Sequence, residues 1–169
     1  MIQLKEAKKI YKNGRTEYPA LNGIDLTIEN GEYVAIIGTS GSGKSTLLNI
    51  IGGMDQTTDG QYLYDEKNVS KMNSHALHLF RKEYVSFVFQ RFALLNQYSV
   101  YENVEVPLLA KGIEKKERKK KVLSALMQVG IQDLYKKKPS ELSGGEQQRC
   151  AIARALVMDC LLYTSPSPR

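Results

Sequence analysis

The stretch that most constrains the fold is GTSGSGKST, which runs from Gly38 to Thr46. It fits the pattern G-x-x-x-x-G-K-[ST], in which glycines allow successive backbone amides to point at one anion. One apolar segment precedes this stretch and another, residues 45–51, follows it. Such a loop works between a strand and the N-terminus of a helix, where unpaired donors and partial positive charge lie. The sequence therefore predicts a phosphate-binding loop within an α/β fold.

Strand and helix patterns surround this phosphate loop, residues 38–46. Apolar residues alternate at Ile24, Leu26 and Ile28, and Asn30-Gly31 favours a hairpin turn. The nearly continuous apolar run 33–37 predicts a strand that is buried on both faces. The remaining predictions for the first half are a helix over 45–51 stopped by Gly52-Gly53, a strand at Tyr62 and Tyr64, a helix over 74–84 with Ser74 as N-cap, and a strand over 85–89.

The second half of the chain is predicted to be mainly helical. Residues 99–139 are charged and show helical spacing at Leu123, Leu126 and Met127 before Gly130. A further helix is predicted over 146–158, with Ile152, Ala155 and Leu156 on one face. The pattern as a whole indicates an α/β core that is interrupted by a helical insert.

Composition is that of a soluble globular protein, with 42% hydrophobic and 25% charged residues and a net charge of +6. No apolar run approaches the length of a membrane span, so we expect a cytosolic protein.

Basic residues concentrate in 111–121 and 136–138. Such a run is compatible with binding to nucleic acid, with binding to anionic lipid, or with a solvated helix face. Because no aromatic residues interleave the run, we predict the solvated face and no nucleic-acid partner.

The cysteines and histidines do not form a metal-binding pattern. Cys150 and Cys160 lack metal-ligand spacing and are predicted to be free thiols in a reducing compartment. His75 and His78 lie three residues apart without a third ligand nearby, so packing or surface roles are favoured over metal binding.

A second glycine-containing stretch, LSGGEQQR at residues 142–149, leads into the last predicted helix. Ser143, Gly144 and Gly145 precede a helix that begins near Glu146. Two glycines permit close approach of the backbone, so this signature segment (residues 142–149) is typical of a second anion-binding helix start. An ordinary glycine-containing N-cap is the alternative interpretation.

Together these two motifs resemble those of the ATP-binding subunits of ABC transporters, over residues 1–159. GTSGSGKST resembles the Walker A loop and LSGGEQQR resembles the signature motif. Gln90 in FVFQ resembles the Q-loop glutamine, and Tyr11 resembles the aromatic residue that stacks on adenine, with Tyr18 as a competitor. The segments LLNIIGGMDQTTDGQYLYD, FVFQRFALL and YENVEVPLL are similar to the lipoprotein-release and macrolide-export branch, with peptide exporters close by.

The resemblance implies a P-loop NTPase core with an N-terminal antiparallel β subdomain and a helical subdomain at about 99–138. That helical subdomain would dock on a membrane permease subunit and place the protein on the inner face of the plasma membrane. Two ATP-binding subunits would associate head to tail as a homodimer. Each ATP would lie between the phosphate loop of one subunit and the signature segment of the other.

The resemblance also assigns roles to individual residues. Lys44 and Gln90 would be catalytic, while Ser45 and Gln90 would hold Mg²⁺. The residues that would contact ATP are Tyr11, Gly38, Thr39, Ser40, Gly41, Ser42, Gly43, Lys44, Ser45, Thr46, Ser143, Gly144, Gly145 and Glu146.

The resemblance stops at Asp159, which is the last carboxylate before CLLYTSPSPR. In this family a strand that ends in Asp-Glu follows the signature helix and supplies the metal-supporting and water-activating carboxylates. We therefore expect the C-terminal part of the core to be missing, and we interpret residues 160–169 as a non-native tail similar to a translated sequencing adaptor. A naturally degenerate ATPase is the alternative.

Such a fragment is expected to bind ATP only weakly, through its phosphate loop, and not to hydrolyse it. Two other functions compete with an energising transporter subunit: a non-hydrolysing nucleotide-binding regulatory module and a DNA-maintenance ATPase. The short interval between the two motifs, without heptads or cysteine pairs, disfavours the DNA-maintenance class.

Overall fold

A computed structural model of the chain describes residues 1–89, 92–158 and the backbone of 162–164. The chain forms two compact units, which meet in the sequence between Val85 and Ser86. Every helix within the described residues is too short or too polar to cross a membrane.

The first unit contains a four-stranded antiparallel sheet with the strand order β2-β1-β3-β4. The strands are β1 (Ile2–Asn13), β2 (Thr16–Ile28), β3 (Asp59–Tyr64) and β4 (Lys67–Asn68). Central strand β1 pairs with both neighbours, so that Ile2 lies opposite Ile28 on one side and Tyr64 on the other. This sheet confirms the predicted N-terminal antiparallel subdomain.

Two helices pack with this sheet, α1 (Lys44–Ile51) and α2 (Ser74–Tyr84), and a short 3₁₀ turn covers Val69–Lys71. The core of the unit centres on Tyr62, whose hydroxyl donates to the Ile51 carbonyl at 2.7 Å and whose ring meets Phe80 edge to face. The N-cap of α2 is Asn73, which accepts from the Ala76 amide, so the prediction of Ser74 was wrong by one residue.

The predicted buried strand over residues 33–37 does not form. These residues lack regular secondary structure, and the side chains of Tyr33 and Ile37 are almost completely exposed. Glu29 and Glu32 close a turn around Asn30-Gly31, but no hairpin follows it. An apolar run becomes a strand only when a neighbouring strand accepts its hydrogen bonds, and none of the described strands pairs with this segment.

The second unit is mainly helical, as predicted. Its helices are α3 (Val100–Ala110), α4 (Lys115–Gln128) and α5 (Gly144–Leu156), with 3₁₀ turns at Gln132–Leu134 and Pro139–Glu141. Strand β5 (Val85–Phe87) is two residues shorter than predicted and pairs with β6 (Leu162–Thr164). The rest of the predicted tail, including Cys160, lies outside the described residues.

The three helices share one apolar core, but its faces differ in part from those predicted. In α5 the buried side chains include Cys150 and Ala153, whereas Ile152 and Leu156 are half-buried. In α4 Leu126 is buried as expected, while Met127 is exposed. The core consists of Val100, Val104, Leu108, Val122, Ala125, Leu126, Ile131, Leu142, Cys150, Ala153 and Val157.

Polar groups at this core are paired. Asn103 is completely buried; its amide oxygen accepts from the Leu95 amide at 2.8 Å, and its nitrogen lies near the carbonyls of Leu95, Tyr98 and Ser99. Arg118 bonds Glu105 at 2.8 Å, which links α4 to α3.

Most lysines of the 111–121 run are exposed, in agreement with the predicted solvated face.

Candidate functional site

The phosphate loop ends at a helix start that only glycine fits. Gly43 is the N-cap of α1 and has a φ of 86°, in the left-handed region. A Cβ atom at this position would lie 2.5 Å from the Ala20 carbonyl oxygen on β2. Gly41 has a similar φ of 83°, but no described atom lies within 4 Å of its Cβ position. The two glycines are therefore required for different reasons.

The first turn of α1 offers amide donors to a ligand. Gly43 provides no side chain to cap these amides, and α1 has no acidic residue in its first turn. By contrast, α3 and α5 begin with capping boxes built by Ser99 and Ser143. Because the first amides of a helix lack acceptors within the helix, the start of α1 is suited to an anion.

Lys44 lies at the opening of the phosphate loop. Its ammonium donates to the Gly38 carbonyl at 2.9 Å and to the Thr39 carbonyl at 2.5 Å, and it lies 3.3 Å from the Ser42 hydroxyl. The loop thus encircles a positive charge, and the ammonium is held by neutral oxygens that a phosphate can replace. Thr39 and Ser40 are exposed at the edge of this loop.

The metal prediction rests on Ser45 and Gln90. The Ser45 side chain is exposed at the second position of α1, where its hydroxyl could ligate a cation. Among the described residues, no group of three His, Cys, Asp or Glu side chains could hold a metal by itself. A single protein hydroxyl such as that of Ser45 fits a magnesium ion, because Mg²⁺ keeps several water ligands and binds substrate phosphates as well. Gln90 lies outside the described residues.

Tyr11 on β1 is hydrogen-bonded to Asp55, which follows α1 in the chain. Its hydroxyl donates to an Asp55 carboxylate oxygen at 2.8 Å, and the Lys9 ammonium lies 5.0 Å from its ring centre. Partial burial, followed by the bond to Asp55, raises the pKa of Tyr11, while a hydrogen bond with Thr46 of the loop opposes this change. Tyr18 lies directly opposite Tyr11 in the β1–β2 register and is also exposed.

Sequence reasoning missed Lys9 and Asp55, which hold Tyr11 in place. Lys9 donates to Asp55 and to the Gln56 carbonyl, so the carboxylate bridges Lys9 and Tyr11. Burial alone would raise the pKa of Asp55, but the hydrogen bonds from Lys9 and Tyr11 outweigh it and lower that pKa. These residues lie more than forty positions apart in the chain, so no local motif reveals the contact.

The signature segment begins α5 with its backbone accessible. Ser143, Gly144 and Gly145 are exposed, and a Cβ atom added at Gly144 would meet no described atom within 4 Å. The Ser143 amide donates to Glu146 at 2.7 Å, and the Ser143 hydroxyl accepts from the Glu146 amide. The Glu146 carboxylate accepts hydrogen bonds from the Ser143 amide and from the Ser143 hydroxyl. Both bonds lower the pKa of Glu146, the bond from the amide more strongly. This capping box agrees with the alternative interpretation of the segment as a glycine-containing N-cap. It leaves the backbone of both Gly144 and Gly145 exposed.

A glycine-rich loop that leads into a helix start, as residues 38–46 lead into α1, is typical of the P-loop class of proteins. The family model described as ABC transporter matches residues 21–164, and the chain belongs to this family.

Similar proteins support the same class. The macrolide export ATP-binding/permease protein MacB of Hyphomonas neptunium is 45% identical over 168 residues, which are 99% of this chain and 26% of that protein. The uncharacterized ABC transporter ATP-binding protein YvrO of Bacillus subtilis is 47% identical over 157 residues, 93% of this chain and 69% of its own length. The chain thus spans about a quarter of the length of the macrolide exporter.

A solved structure agrees with the fold. It is the dimeric structure of a post-hydrolysis state of the ATP-binding cassette MJ0796 bound to ADP and Pi. Its TM-score is 0.88 at 40% sequence identity, and the match covers 98% of this chain and 73% of that one. The predicted ABC ATPase fold is therefore confirmed, and this chain spans part of the full cassette.

Proposed function

We propose that this chain binds ATP and Mg²⁺ as part of a subunit that energises a membrane transporter. The observation that carries the proposal is the start of α1, where a left-handed Gly43, uncapped amides and the Lys44 ammonium converge. All three favour a phosphate, and the similar proteins MacB and YvrO are named as ATP-binding proteins, so we infer that the phosphate ligand is ATP.

Each residue has a distinct role in this proposal. Lys44 exchanges its loop carbonyls for the β- and γ-phosphate oxygens, and the amides of 41–44 bind the same phosphates. Ser45 ligates Mg²⁺ through its hydroxyl, together with Gln90. The Tyr11 ring, held by Asp55, supports the adenine base.

The signature segment is proposed to act on the ATP of a second subunit. Ser143, Gly144 and Gly145 are exposed at the start of α5, so their backbone can approach a γ-phosphate held elsewhere. Glu146 then keeps the Ser143 side chain in position through the capping box. The solved relative MJ0796 is dimeric, which supports a homodimer, and we propose that its two subunits associate head to tail.

The partner in the membrane is proposed to be a permease. The relatives named MacB combine ATP-binding and permease functions in one protein. We infer that this chain energises an exporter of lipoprotein, peptide or macrolide type, at the inner face of the plasma membrane. The helical segment 99–138 is the proposed docking surface, and substrate choice would reside in the permease.

The first test is binding without turnover. A polypeptide of these 169 residues has no Asp or Glu side chain after Asp159, so we expect it to bind MgATP but not to activate an attacking water. Binding is measured with a fluorescent ATP analogue, and phosphate release is measured in the same preparation. Phosphate release above that of the Lys44→Ala variant would contradict the lack of hydrolysis, whereas absence of saturable binding would contradict the function itself.

The second test separates Tyr11 from Tyr18. Because stacking on a base contributes about 1–3 kcal/mol, Tyr11→Ala should weaken ATP binding by about tenfold. Its affinity for inorganic tripolyphosphate, which has no base, should stay unchanged. Tyr18→Ala is the matched control from the facing strand and should alter neither affinity. A selective loss of ATP binding in Tyr18→Ala instead would assign the adenine platform to Tyr18.

A further inference from the structure

Arg154 contacts a segment that the nucleotide-site motifs do not include. From α5, its two terminal nitrogens donate to two consecutive carbonyls, to Ala93 at 2.6 Å and to Phe92 at 2.8 Å. The planar guanidinium fork matches two such acceptors, which a lysine ammonium cannot do with the same geometry. The side chain is half-buried, so these bonds are partly shielded from water.

The two carbonyls belong to an unfavourable turn. Phe92 and Ala93 have φ values of 55° and 46°, both in the left-handed region that non-glycine residues seldom adopt. The Phe92 amide closes the turn on the Phe89 carbonyl at 3.0 Å. Such backbone persists only where its surroundings hold it, and Arg154 supplies two bonds that do so.

Arg154 lies on α5, the helix that begins within the signature segment. Arg154 lies eleven residues after Ser143 on the same helix, which spans about 16 Å at 1.5 Å per residue. The helix therefore connects the signature segment rigidly to a turn two residues beyond Gln90. Leu95, a little further along, is held separately by Asn103.

We propose that Arg154 is a positioning residue whose two hydrogen bonds couple the turn at Phe92 and Ala93 to α5, the helix that begins within the signature segment. The turn and α5 then move as one body. The functional meaning of this coupling rests on the proposed contact between the signature segment and nucleotide. Displacement of the helix start by a γ-phosphate would then displace the segment after Gln90, and the reverse would hold as well.

Amide hydrogen exchange, measured residue by residue without nucleotide, tests the connection. In Arg154→Lys and Arg154→Ala we expect the Phe92 amide to exchange at least about tenfold faster, because the turn loses the two bonds that hold its carbonyls. The Leu95 amide should change little, since Asn103 still accepts from it. Arg118→Lys is the matched control, because Arg118 in the same unit likewise donates to a backbone carbonyl, that of Ile113, besides the Glu105 carboxylate.

A rescue variant separates positioning from general stabilisation. Glycine adopts positive φ without strain, so Ala93→Gly added to Arg154→Ala should restore much of the slow exchange at Phe92. Unchanged exchange in Arg154→Lys, equal acceleration in Arg118→Lys, or uniform acceleration throughout the chain would overturn the proposal. Loss of cooperative unfolding in both Arg154 variants would also overturn it, by showing a purely structural role. None of these outcomes depends on ATP binding, so failure of the proposed function would be recognised separately.

Discussion

Replacing Lys44 with alanine is expected to weaken MgATP binding by at least about 100-fold while the fold is retained. Hydrogen bonds to charged groups contribute about 1.5–3 kcal/mol each, and Lys44 is proposed to make two of them to phosphate oxygens. In the absence of ligand its partners are the carbonyls of its own loop. These bonds lie at an exposed site, so their loss should change the free energy of unfolding by less than about 1 kcal/mol.

The measurement is a titration with a fluorescent ATP analogue, accompanied by thermal unfolding of the same sample. Lys12→Ala is the matched control, because Lys12 is an exposed lysine of the same unit whose ion pair is with Glu17. Equal loss of affinity in both variants would show that general positive charge attracts ATP. Unchanged affinity in Lys44→Ala would show that the phosphate loop is not the nucleotide site.

The second large effect is expected for Gly43→Ala. Alanine would bring its Cβ atom to within 2.5 Å of the Ala20 carbonyl oxygen, at a φ of 86°. Left-handed strain costs about 1–2 kcal/mol, and overpacking against fixed backbone costs about 1–3 kcal/mol more. We therefore expect a loss of about 2–5 kcal/mol in the free energy of unfolding, together with loss of ATP binding, because the helix start must move away from β2.

Gly41→Ala supplies the matched comparison. Gly41 shares the left-handed conformation, but the space around it is open. Its substitution should cost only the strain of about 1–2 kcal/mol. Urea unfolding of both variants gives the difference directly. Equal destabilisation would mean that the contact with Ala20 contributes nothing, and the explanation for Gly43 would then be backbone conformation alone.

The helix after the phosphate loop and the helix start that follows Ser143 were predicted from sequence because their signals are local. The predicted helix over 45–51 corresponds to α1 at Lys44–Ile51, and Gly52 is its C-cap. Ser143 begins α5 as a capping residue, although the helix starts two residues before the predicted Glu146. A turn or a helix end is determined by bonds among residues a few positions apart, which a sequence pattern can contain.

For features that depend on residues distant in the sequence, the predictions were wrong or were not made. Residues 33–37 have the apolar pattern of a central strand, but pattern alone cannot supply the neighbour that completes the ladder. The predicted apolar face of α5 shifted towards Cys150 because the positions of α3 and α4 decide which side is covered. The Arg154 contacts were not predicted, since they join positions 61 and 62 residues apart.

By itself the sequence determined the chemistry that this chain can offer: a glycine-rich loop with Lys44, a second glycine-containing helix start, and the ABC transporter family that both define. Only the tertiary structure decided which glycine is sterically required and which acidic residue fixes Tyr11. It also showed that a half-buried arginine holds the turn at Phe92. The physical reason is that motif chemistry resides in neighbouring residues, whereas close approach and hydrogen-bond pairing depend on where folding places Ala20, Asp55 and Arg154.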